Sequence, residues 1–320
     1  KTVIRTYDAN SNLTSLTDAA SRMFNYGYDQ RNLLSTVTST GNQTFANYTY
    51  TPTGRISTLT NGNGIRTANT YDRLNRIEVS TISSPTNQTL WQQTYTYDQE
   101  SNRVRMVENN TRTVVYTYDE LEQLTNTTYT DPTTPPATLA YSYDAWGNRT
   151  SYTAPIGSAN YGYANNSNEL NTITQGDISI AHLYDGNGSL TRETYTRVGS
   201  PLRMVNYGWD SQQRLTGIRY ADNSRPAFLP QLPENTLSFV YDDFGNRIKK
   251  TSAVGLQTSA ATYYLNDGLA VLNELNNTGT IQKTIVKGIS QIAEIDANLN
   301  TTYIHQDLLG STVLITDNTA

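Results

Sequence analysis

Aromatic and small polar residues alternate along this chain in short stretches, and the alternation predicts β-strands. In the pairs Tyr26/Tyr28 and Tyr48/Tyr50 the two rings stand two residues apart, so both rings lie on one face of a strand. The residue between them is Gly or Thr, which suits the opposite face. The spacing does not fit the 3.6-residue period of an amphipathic helix. The pattern therefore predicts strands rather than helices.

A turn signal follows the aromatic pairs. Residues 141–150 read YSYDAWGNRT, and residues 239–247 read FVYDDFGNR. The Asp can accept backbone N–H groups in an Asx-type turn, and the Gly can supply a positive φ. The Arg then begins the return strand across from the Asp, where a surface pair contributes only about 0–1 kcal/mol and sets register. We expect β-hairpins in which the structural repeat residues are Tyr97, Asp98, Tyr143, Asp144, Gly147, Arg149, Tyr241, Asp242, Gly245 and Arg247.

The hairpin signal returns at a near-constant interval. Looser copies begin at Tyr7, Tyr28, Tyr50, Tyr71, Tyr97, Tyr118, Tyr163, Tyr184, Trp209 and Tyr264. Most successive starts are 20 to 23 residues apart, which indicates a repeat array. The longer intervals contain Pro85, Pro132, Pro135, Pro136, Pro201, Pro226, Pro230 and Pro233. Because proline cannot donate to a ladder, we expect these insertions to be loops at the rim of the sheet.

Two segments differ from the regular repeats. The largest insertion, residues 223–235, is unusually apolar, so it can pack over its own sheet edge, plug a lumen or dock a partner. Residues 265–300 are richer in Leu, Ile and Val, with turn signals between short apolar runs. We therefore expect a repeat ribbon over residues 1–264 and a continuation of that ribbon over residues 265–320.

Composition and charge limit the class of protein. The 320 residues are 36% hydrophobic and 16% charged and include 24 tyrosines, unlike a disordered chain, which has few aromatic residues. The net charge of −5 comes without a basic stripe, so no nucleic-acid partner is expected. No apolar run approaches the ~20 residues of a membrane helix, so no membrane span is expected.

No catalytic, cofactor or metal site is predicted. His182 and His305 are the only histidines and lie in different contexts, which argues against a Ser-His-Asp triad or a two-His metal site. Cysteine is absent, so disulfides and thiolate metal sites are excluded. The stretch that begins at Asp185 lacks the glycine and glutamate of a calcium loop at Leu190 and Thr196, and we reject an EF-hand.

The array resembles the RHS, or YD-repeat, proteins, and residues 304–317 resemble the opening of the RHS-associated core. That core has the form His-x-Asp-x-Leu-Gly-Ser followed by Thr-Asp, and the matching residues are His305, Asp307, Leu309, Gly310, Ser311, Thr316 and Asp317. The resemblance covers essentially the whole chain. It implies an all-β fold, in which a continuous antiparallel β-hairpin ribbon curls into a shell or tube-like wall.

The resemblance also implies a function. Related shells enclose a C-terminal toxin in bacterial polymorphic toxins and insecticidal toxin complexes, and form part of an adhesion receptor in animal teneurins. We therefore expect the non-catalytic shell of a secreted or cell-surface bacterial protein, with a toxin or other cargo inside. Toxin-bearing members cleave themselves at aspartates just after the core, which would follow Ala320, so no catalytic residue is assigned. Lys1 enters a repeat directly, and we expect the chain to be cut from something longer.

The number of repeats sets the length of the expected ribbon. About thirteen hairpins give roughly 26 strands and a ribbon ~125 Å long, which would close into one turn of only ~20 Å radius. Such a ribbon is too short to seal off a protein cargo by itself. Its partners are therefore either other segments of the same longer protein, as part of a cage, or identical subunits. In the second case the sheet edges pair end to end and build an extracellular structural or adhesive filament.

Overall fold

Hairpin follows hairpin through the computed structural model, which describes residues 2–41, 43–164, 167–222, 234–255, 257, 260–268, 270–307 and 309–319. The described residues contain no helix and form 28 strands. These strands belong to one antiparallel sheet in which ladder hydrogen bonds join consecutive strands. The predictions of an all-β fold and of a hairpin ribbon are confirmed.

The chain divides into two compact units. Unit 1 contains residues 1–113 and 264–320. Its N-terminal strands are β1 (Ile4–Tyr7), β2 (Leu13–Thr17), β3 (Met23–Tyr28), β4 (Leu34–Ser39), β5 (Thr44–Tyr50), β6 (Ile56–Asn61), β7 (Arg66–Tyr71), β8 (Ile77–Ser83), β9 (Thr89–Tyr97) and β10 (Arg103–Glu108). Strand β11 (Arg112–Tyr118) contains the first boundary between the units.

Unit 2 contains residues 114–263. Its strands are β12 (Leu124–Asp131), β13 (Thr134–Tyr143), β14 (Arg149–Ala154), β15 (Gly157–Tyr163), β16 (Leu170–Gln175), β17 (Ile178–Tyr184), β18 (Leu190–Arg197), β19 (Ser200–Trp209), β20 (Leu215–Asp222), β21 (Asn235–Tyr241) and β22 (Arg247–Val254). The second boundary lies in β23 (Ala260–Asp267), and the C-terminal strands of unit 1 follow: β24 (Ala270–Leu275), β25 (Ile281–Lys287), β26 (Gln291–Asp296), β27 (Thr301–Gln306) and β28 (Thr312–Thr316).

The apolar core of unit 1 lies between its N-terminal and C-terminal strands. One cluster joins buried residues of both segments: Leu16, Phe24, Val37, Phe45, Ala46 and Tyr48 from β2–β5, and Leu272, Val286, Ile292, Ala293, Ile295 and Tyr303 from β24–β27. A second cluster packs Ile65, Ile82 and Trp91 against Val313 and Leu314 of β28. The extra Leu, Ile and Val of residues 265–300 therefore serve as a second layer over the N-terminal repeats.

Proline-containing insertions lengthen hairpins instead of forming the expected rim loops at two places. Pro135 and Pro136 lie in β13, and Pro201 lies in β19. Both strands have 10 residues and pair with 8-residue neighbours. The register shifts beside Pro201, between Tyr195 and Thr196. Such an irregularity suits proline, which has no N–H to donate to the ladder. Pro85 does lie between strands, as expected.

Three further expectations from the sequence have different outcomes. Tyr264, expected to start a repeat, lies inside β23 with 8% of its surface exposed. The apolar part of the insertion, Phe228, Leu229 and Leu232, lies outside the described residues. The division at residue 264 stays a prediction, although 264–267 are part of one strand with 260–263.

Candidate functional site

The side chain of the repeat Asp is hydrogen-bonded within its own turn. Asp144 Oδ1 accepts the backbone N–H groups of Trp146 and Asn148, both at 2.9 Å, and Oδ2 accepts the Asn148 amide at 3.0 Å. Gly147 closes the turn with φ of 83°, the left-handed region that suits glycine. The same bonds recur at Asp242, with Gly245 at φ 86°. These carboxylates have a structural task in every contact the structure shows.

The turn contacts also favour the charged carboxylate. The side-chain amide of Asn246 lowers the pKa of Asp242 below its ordinary value, against a smaller desolvation, and backbone N–H groups add to the effect. In the turn at Asp98, Oδ1 accepts the backbone N–H of Asn102 at 2.7 Å. A carboxylate that accepts several N–H groups is held as the anion, so Asp242 is a poor proton donor at neutral pH.

The repeat Arg does not lie across from the Asp as expected. Arg149 is in register with Tyr143 and Arg247 with Tyr241, because a bulge shifts each ladder by one residue. The preceding residue, Asn148 in the first case, reaches the Asp instead. At Arg76 and Arg214 an arginine occupies that preceding position and pairs with the turn Asp, with 2.7 Å between Nε and Oδ2 in both pairs.

The displaced arginines cover aromatic rings. The Arg149 guanidinium carbon lies 4.5 Å from the ring centre of Tyr161 and 5.9 Å from that of Tyr141, and Arg149 donates to the Tyr161 hydroxyl at 3.0 Å. Arg247 lies 5.6 Å from the Phe239 ring centre. Cation–π contacts of this kind contribute about 0.5–1 kcal/mol at exposed sites, so the role of these arginines is packing on the rings of the strand.

The repeat tyrosine joins each hairpin to the one before it. Its hydroxyl donates to a backbone carbonyl at the start of the preceding return strand, as in Tyr143 to Leu124 O at 2.8 Å. The same bond is made by Tyr28, Tyr50, Tyr71, Tyr97, Tyr163, Tyr184 and Tyr241, and Trp209 makes it through its indole N–H. We call this series the tyrosine ladder. Desolvation raises the pKa of Tyr97 and Tyr143, which keeps the hydroxyls as donors.

The C-terminal motif is one more turn of this kind, attached to a buried histidine. Asp307 accepts the backbone N–H groups of Leu309 and Ser311 at 2.9 and 2.8 Å, and Gly310 has φ of 80°. Asp317 accepts the N–H and hydroxyl of Thr319 in the next turn.

His305 itself lies inside unit 1. It is only 2% exposed, and its Nε2 lies 2.9 Å from the hydroxyl of Thr316. Thr316 in turn accepts the side-chain amide of Asn63, which also donates to the carbonyl of Asp317. The motif therefore links β27 and β28 to the turn that follows β6.

A buried polar cluster, which the sequence did not reveal, joins the two segments of unit 1 elsewhere. Asp18 is 2% exposed, and Asn273 and Thr284 are fully buried. The Asn273 amide donates to Asp18 Oδ2 at 3.2 Å and to Thr284 Oγ1 at 2.7 Å. Arg22 bonds Asp18 at 3.0 Å and also reaches Thr284. A turn of the N-terminal repeats is thus held by polar groups of β24 and β25.

Two glycines admit tyrosines of the opposite layer. A side chain at Gly62 would meet the hydroxyl of Tyr303 from β27, and a side chain at Gly288 would meet the ring of Tyr48 from β5. The Tyr48 hydroxyl also accepts the backbone N–H of Ile289 at 3.4 Å. These two glycines, neither of which has a positive φ, were the only sequence signal of the close approach.

Unit 2 contains a network of polar and aromatic side chains. Glu193 accepts the hydroxyls of Tyr195 and Tyr207 at 3.1 and 3.0 Å, and His182 lies 3.5 Å from it. The Arg203 guanidinium lies 3.7 Å from the Tyr195 ring centre. Desolvation, together with the Glu193 contact, raises the pKa of Tyr207 to about 12. The network is made of structural contacts within β17–β19.

Within the described ranges, no group of three or more His, Cys, Asp or Glu side chains is placed to hold a metal ion. The same residues include no helix of the length and hydropathy that a membrane crossing needs.

The chain is similar to known proteins over most of its length. A family model described as the teneurin YD-shell matches residues 1–287. Two similar curated proteins are the tRNA3(Ser)-specific nuclease WapA of Bacillus spizizenii and the tRNA nuclease WapA of Bacillus subtilis. Each is 26% identical over 84% and 85% of this chain, respectively. The chain spans about a tenth of the length of these relatives, 10% and 11%.

Solved structures show the same fold. The Photorhabdus luminescens Tc holotoxin pore matches with a TM-score of 0.75 and 19% identity, covering 99% of this chain and 17% of that one. The crystal structure of TcdB2-TccC3-TEV matches with a TM-score of 0.63 and 17% identity, again over 99% and 17%. The strand-by-strand architecture described above therefore corresponds to a part of those larger chains.

Proposed function

The chain belongs to the teneurin YD-shell family, and from that premise we propose that it is a non-catalytic wall segment of a larger secreted or cell-surface shell. In this proposal the shell encloses a polypeptide cargo, such as a toxin, encoded beyond the repeats. The partners of the segment are then other repeats of the same protein and the cargo itself. The segment contributes walls and no chemistry.

The observation that carries the proposal is the fate of the repeat side chains. Asp144 and Asp242 give both carboxylate oxygens to their own turns, and the tyrosine hydroxyls are bonded to the neighbouring hairpin. Catalysis needs side chains that are able to bond to a substrate or exchange a proton with it. Side chains whose hydrogen bonds are all made within the repeats therefore support the role of a structural wall. The nuclease names of the WapA relatives describe proteins about ten times longer than this match.

The similarity to larger chains supports the idea of a segment. Nearly all of this chain aligns with only 17% of each Tc structure. Since 28 strands at ~4.8 Å give a ribbon of ~134 Å, enclosing a protein requires more repeats than these. We therefore place the segment in a shell completed by other parts of the same protein.

Protease protection of the intact protein tests the proposal. The full-length product is treated with a non-specific protease, and the same cargo segment expressed alone is the control. We expect the cargo to resist digestion until the shell is denatured, while the free cargo is cut at once. Equal digestion rates would reject enclosure, and end-to-end fibres of the 320-residue chain in electron micrographs would favour a filament instead.

A further inference from the structure

Two segments of unit 1 that are far apart in sequence meet at His305. The imidazole belongs to β27, and its hydrogen-bond partner Thr316 belongs to β28. Thr316 and Asp317 are both bound by the side chain of Asn63, in the turn between β6 and β7. The final hairpin is therefore fastened to the N-terminal repeats through a short polar relay. We call the contact between this hairpin and residues 61–91 the C-terminal seam.

Apolar packing completes the C-terminal seam. Val313 and Leu314 of β28 pack against Ile65, Ile82 and Trp91. Ile65 and Ile82 are at most 1% exposed and Trp91 is 6% exposed. A charge placed in such surroundings loses most of its hydration, and only a nearby opposite charge or several hydrogen bonds can replace it.

Around His305, no residue that the structure describes supplies such a replacement. Asp307 and Asp317 flank the hairpin, but their carboxylates are bound by N–H and hydroxyl groups of their own turns. Tyr303 lies two residues earlier in β27 and packs at Gly62. From β10, Glu108 accepts the indole N–H of Trp91 and pairs with Arg112.

Residues 61–91 also contain the titratable groups Arg66, Tyr71, Asp72, Arg73, Arg76 and Glu78. Among the described residues, none of these groups bonds to the imidazole, whose hydrogen-bond partner is Thr316. We propose that His305 is an acid-sensitive latch, in which protonation of the buried imidazole releases the β27–β28 hairpin from the N-terminal repeats and opens the C-terminal seam.

Burial lowers the pKa of His305 from its ordinary value of 6.5 to about 4 in the closed state. The contribution of the neutral imidazole to closure is therefore complete above pH ~6.5 and is lost progressively as the pH falls toward ~4. If the opened hairpin regains the ordinary pKa, the ratio of open to closed molecules rises about twentyfold between pH 7 and pH 5.

The other histidine supplies a matched control. His182 lies in unit 2 with its Nε2 3.5 Å from a carboxylate oxygen of Glu193. At that place a carboxylate lies beside the ring, which is the opposite charge that the surroundings of His305 do not supply. The two histidines differ in the one property that the proposal depends on.

Amide hydrogen exchange of the full 320-residue chain tests the latch. Exchange is measured near pH 7 and pH 5 and corrected for intrinsic rates. We expect the protection factors of β27 and β28 to fall about twentyfold, while those of β3 and β17 stay constant. In His305→Gln, which cannot take up a proton, the fall should disappear, and in His182→Gln it should persist.

Two outcomes would overturn the proposal: unchanged protection of β28 between the two pH values, or an equal fall in the wild type and in His305→Gln. Should the glutamine variant not fold, the wild type decides by itself, because β28 must respond to acid and β17 must not. A second readout is acrylamide quenching of Trp91 in a chain that carries Trp146→Phe and Trp209→Phe. Quenching of Trp91 should rise with the opening of the C-terminal seam and stay low if the seam stays closed.

Discussion

The same hairpin repeat is stabilised in two different ways in the two units. In unit 1 the repeats are covered by a second layer, and both clusters of buried apolar residues among the described residues lie there. Among the described residues of unit 2, the buried apolar side chains are few and small: Val114, Ala154, Ala159 and Val205. Contacts between tyrosine rings and guanidinium groups fill their place. The repeat motif therefore specifies the hairpin but not the means of burying its face.

The two units should therefore differ in how far the effect of a damaging substitution spreads. A two-layer core depends on contacts between distant segments, so one large truncation affects the whole unit. A ribbon held by contacts between neighbouring repeats resembles a one-dimensional array, in which damage stays near its origin.

The largest loss of unfolding free energy is expected when an aromatic ring is removed from the core of unit 1. Phe24 is 2% exposed and packs edge to face on Phe45, with 5.6 Å between ring centres. Phe24→Ala should cost about 3–5 kcal/mol of unfolding free energy, measured by urea denaturation. Tyr141→Ala in unit 2, whose ring lies 5.9 Å from that of Tyr152, should cost about 1 kcal/mol. Similar losses for both variants would contradict the comparison.

The buried polar cluster of unit 1 should come next. Asp18→Ala leaves Arg22 and Asn273 without their shared carboxylate and should cost about 3 kcal/mol, because breaking a buried pair strands its partner. The control is Asp72→Ala, which removes a partly exposed pair with Arg76 and should cost much less, because solvent screens such a pair. Thermal unfolding of both variants measures the difference, and a neutral Asp18→Ala would show that the cluster does not hold the layers together.

A smaller effect is expected for the tyrosine ladder, and its spread should differ between the units. Tyr143→Phe removes the bond to Leu124 O in unit 2, and Tyr28→Phe removes the bond to Leu13 O in unit 1. Each should cost about 1 kcal/mol. Hydrogen exchange should accelerate across β12–β14 in the first variant and hardly at all in the second, where the core persists. Faster exchange throughout both units would argue against local damage.

The smallest expected difference between the units concerns strong acid. Backbone N–H contacts from Arg76 lower the pKa of Asp72, and the Asn246 amide lowers that of Asp242. Their folded pKa values lie below the unfolded value of 3.8, so their contribution is present above that pH and is lost as the pH falls through the folded values.

Because such turns occur in both units, protonation of the turn carboxylates below about pH 4 should destabilise both units, and circular dichroism measures the loss of strand structure. Asp242→Asn keeps an acceptor oxygen and should reduce this dependence. An unchanged acid profile in Asp242→Asn would mean that the turn carboxylate does not contribute to it.

The sequence predicted the features that depend on residues close together in the chain. Rings at i and i+2, and the Asp and Gly of the turn, act within ten residues, so hairpin, turn and left-handed glycine were predictable from residues such as Tyr143, Asp144 and Gly147. The one-residue bulge that places Arg149 opposite Tyr143 was not, because Asn148 and Arg149 are both residue types that can donate to a carboxylate, and the local pattern does not choose between them.

The second layer of unit 1 was beyond local reasoning. Asn273 meets Asp18 across 255 residues, and no period in the sequence joins two positions so far apart. The rise in Leu, Ile and Val after residue 265 was visible, but it indicated extra burial without naming the surface that would provide it. The burial of His305 was not predictable for the same reason, because its partner Thr316 is bound by Asn63, which lies 253 residues away from Thr316 along the chain.

The tyrosine ladder has a mechanical consequence. Each hairpin carries one side-chain bond to the hairpin before it, in addition to the strand ladder, so a pull on one end of unit 2 would load one repeat before the next. Stretching in an optical trap should then give a sawtooth, with each tooth releasing one repeat. At about 3.4 Å per residue, a repeat of 20 to 23 residues would lengthen the tether by roughly 7 nm.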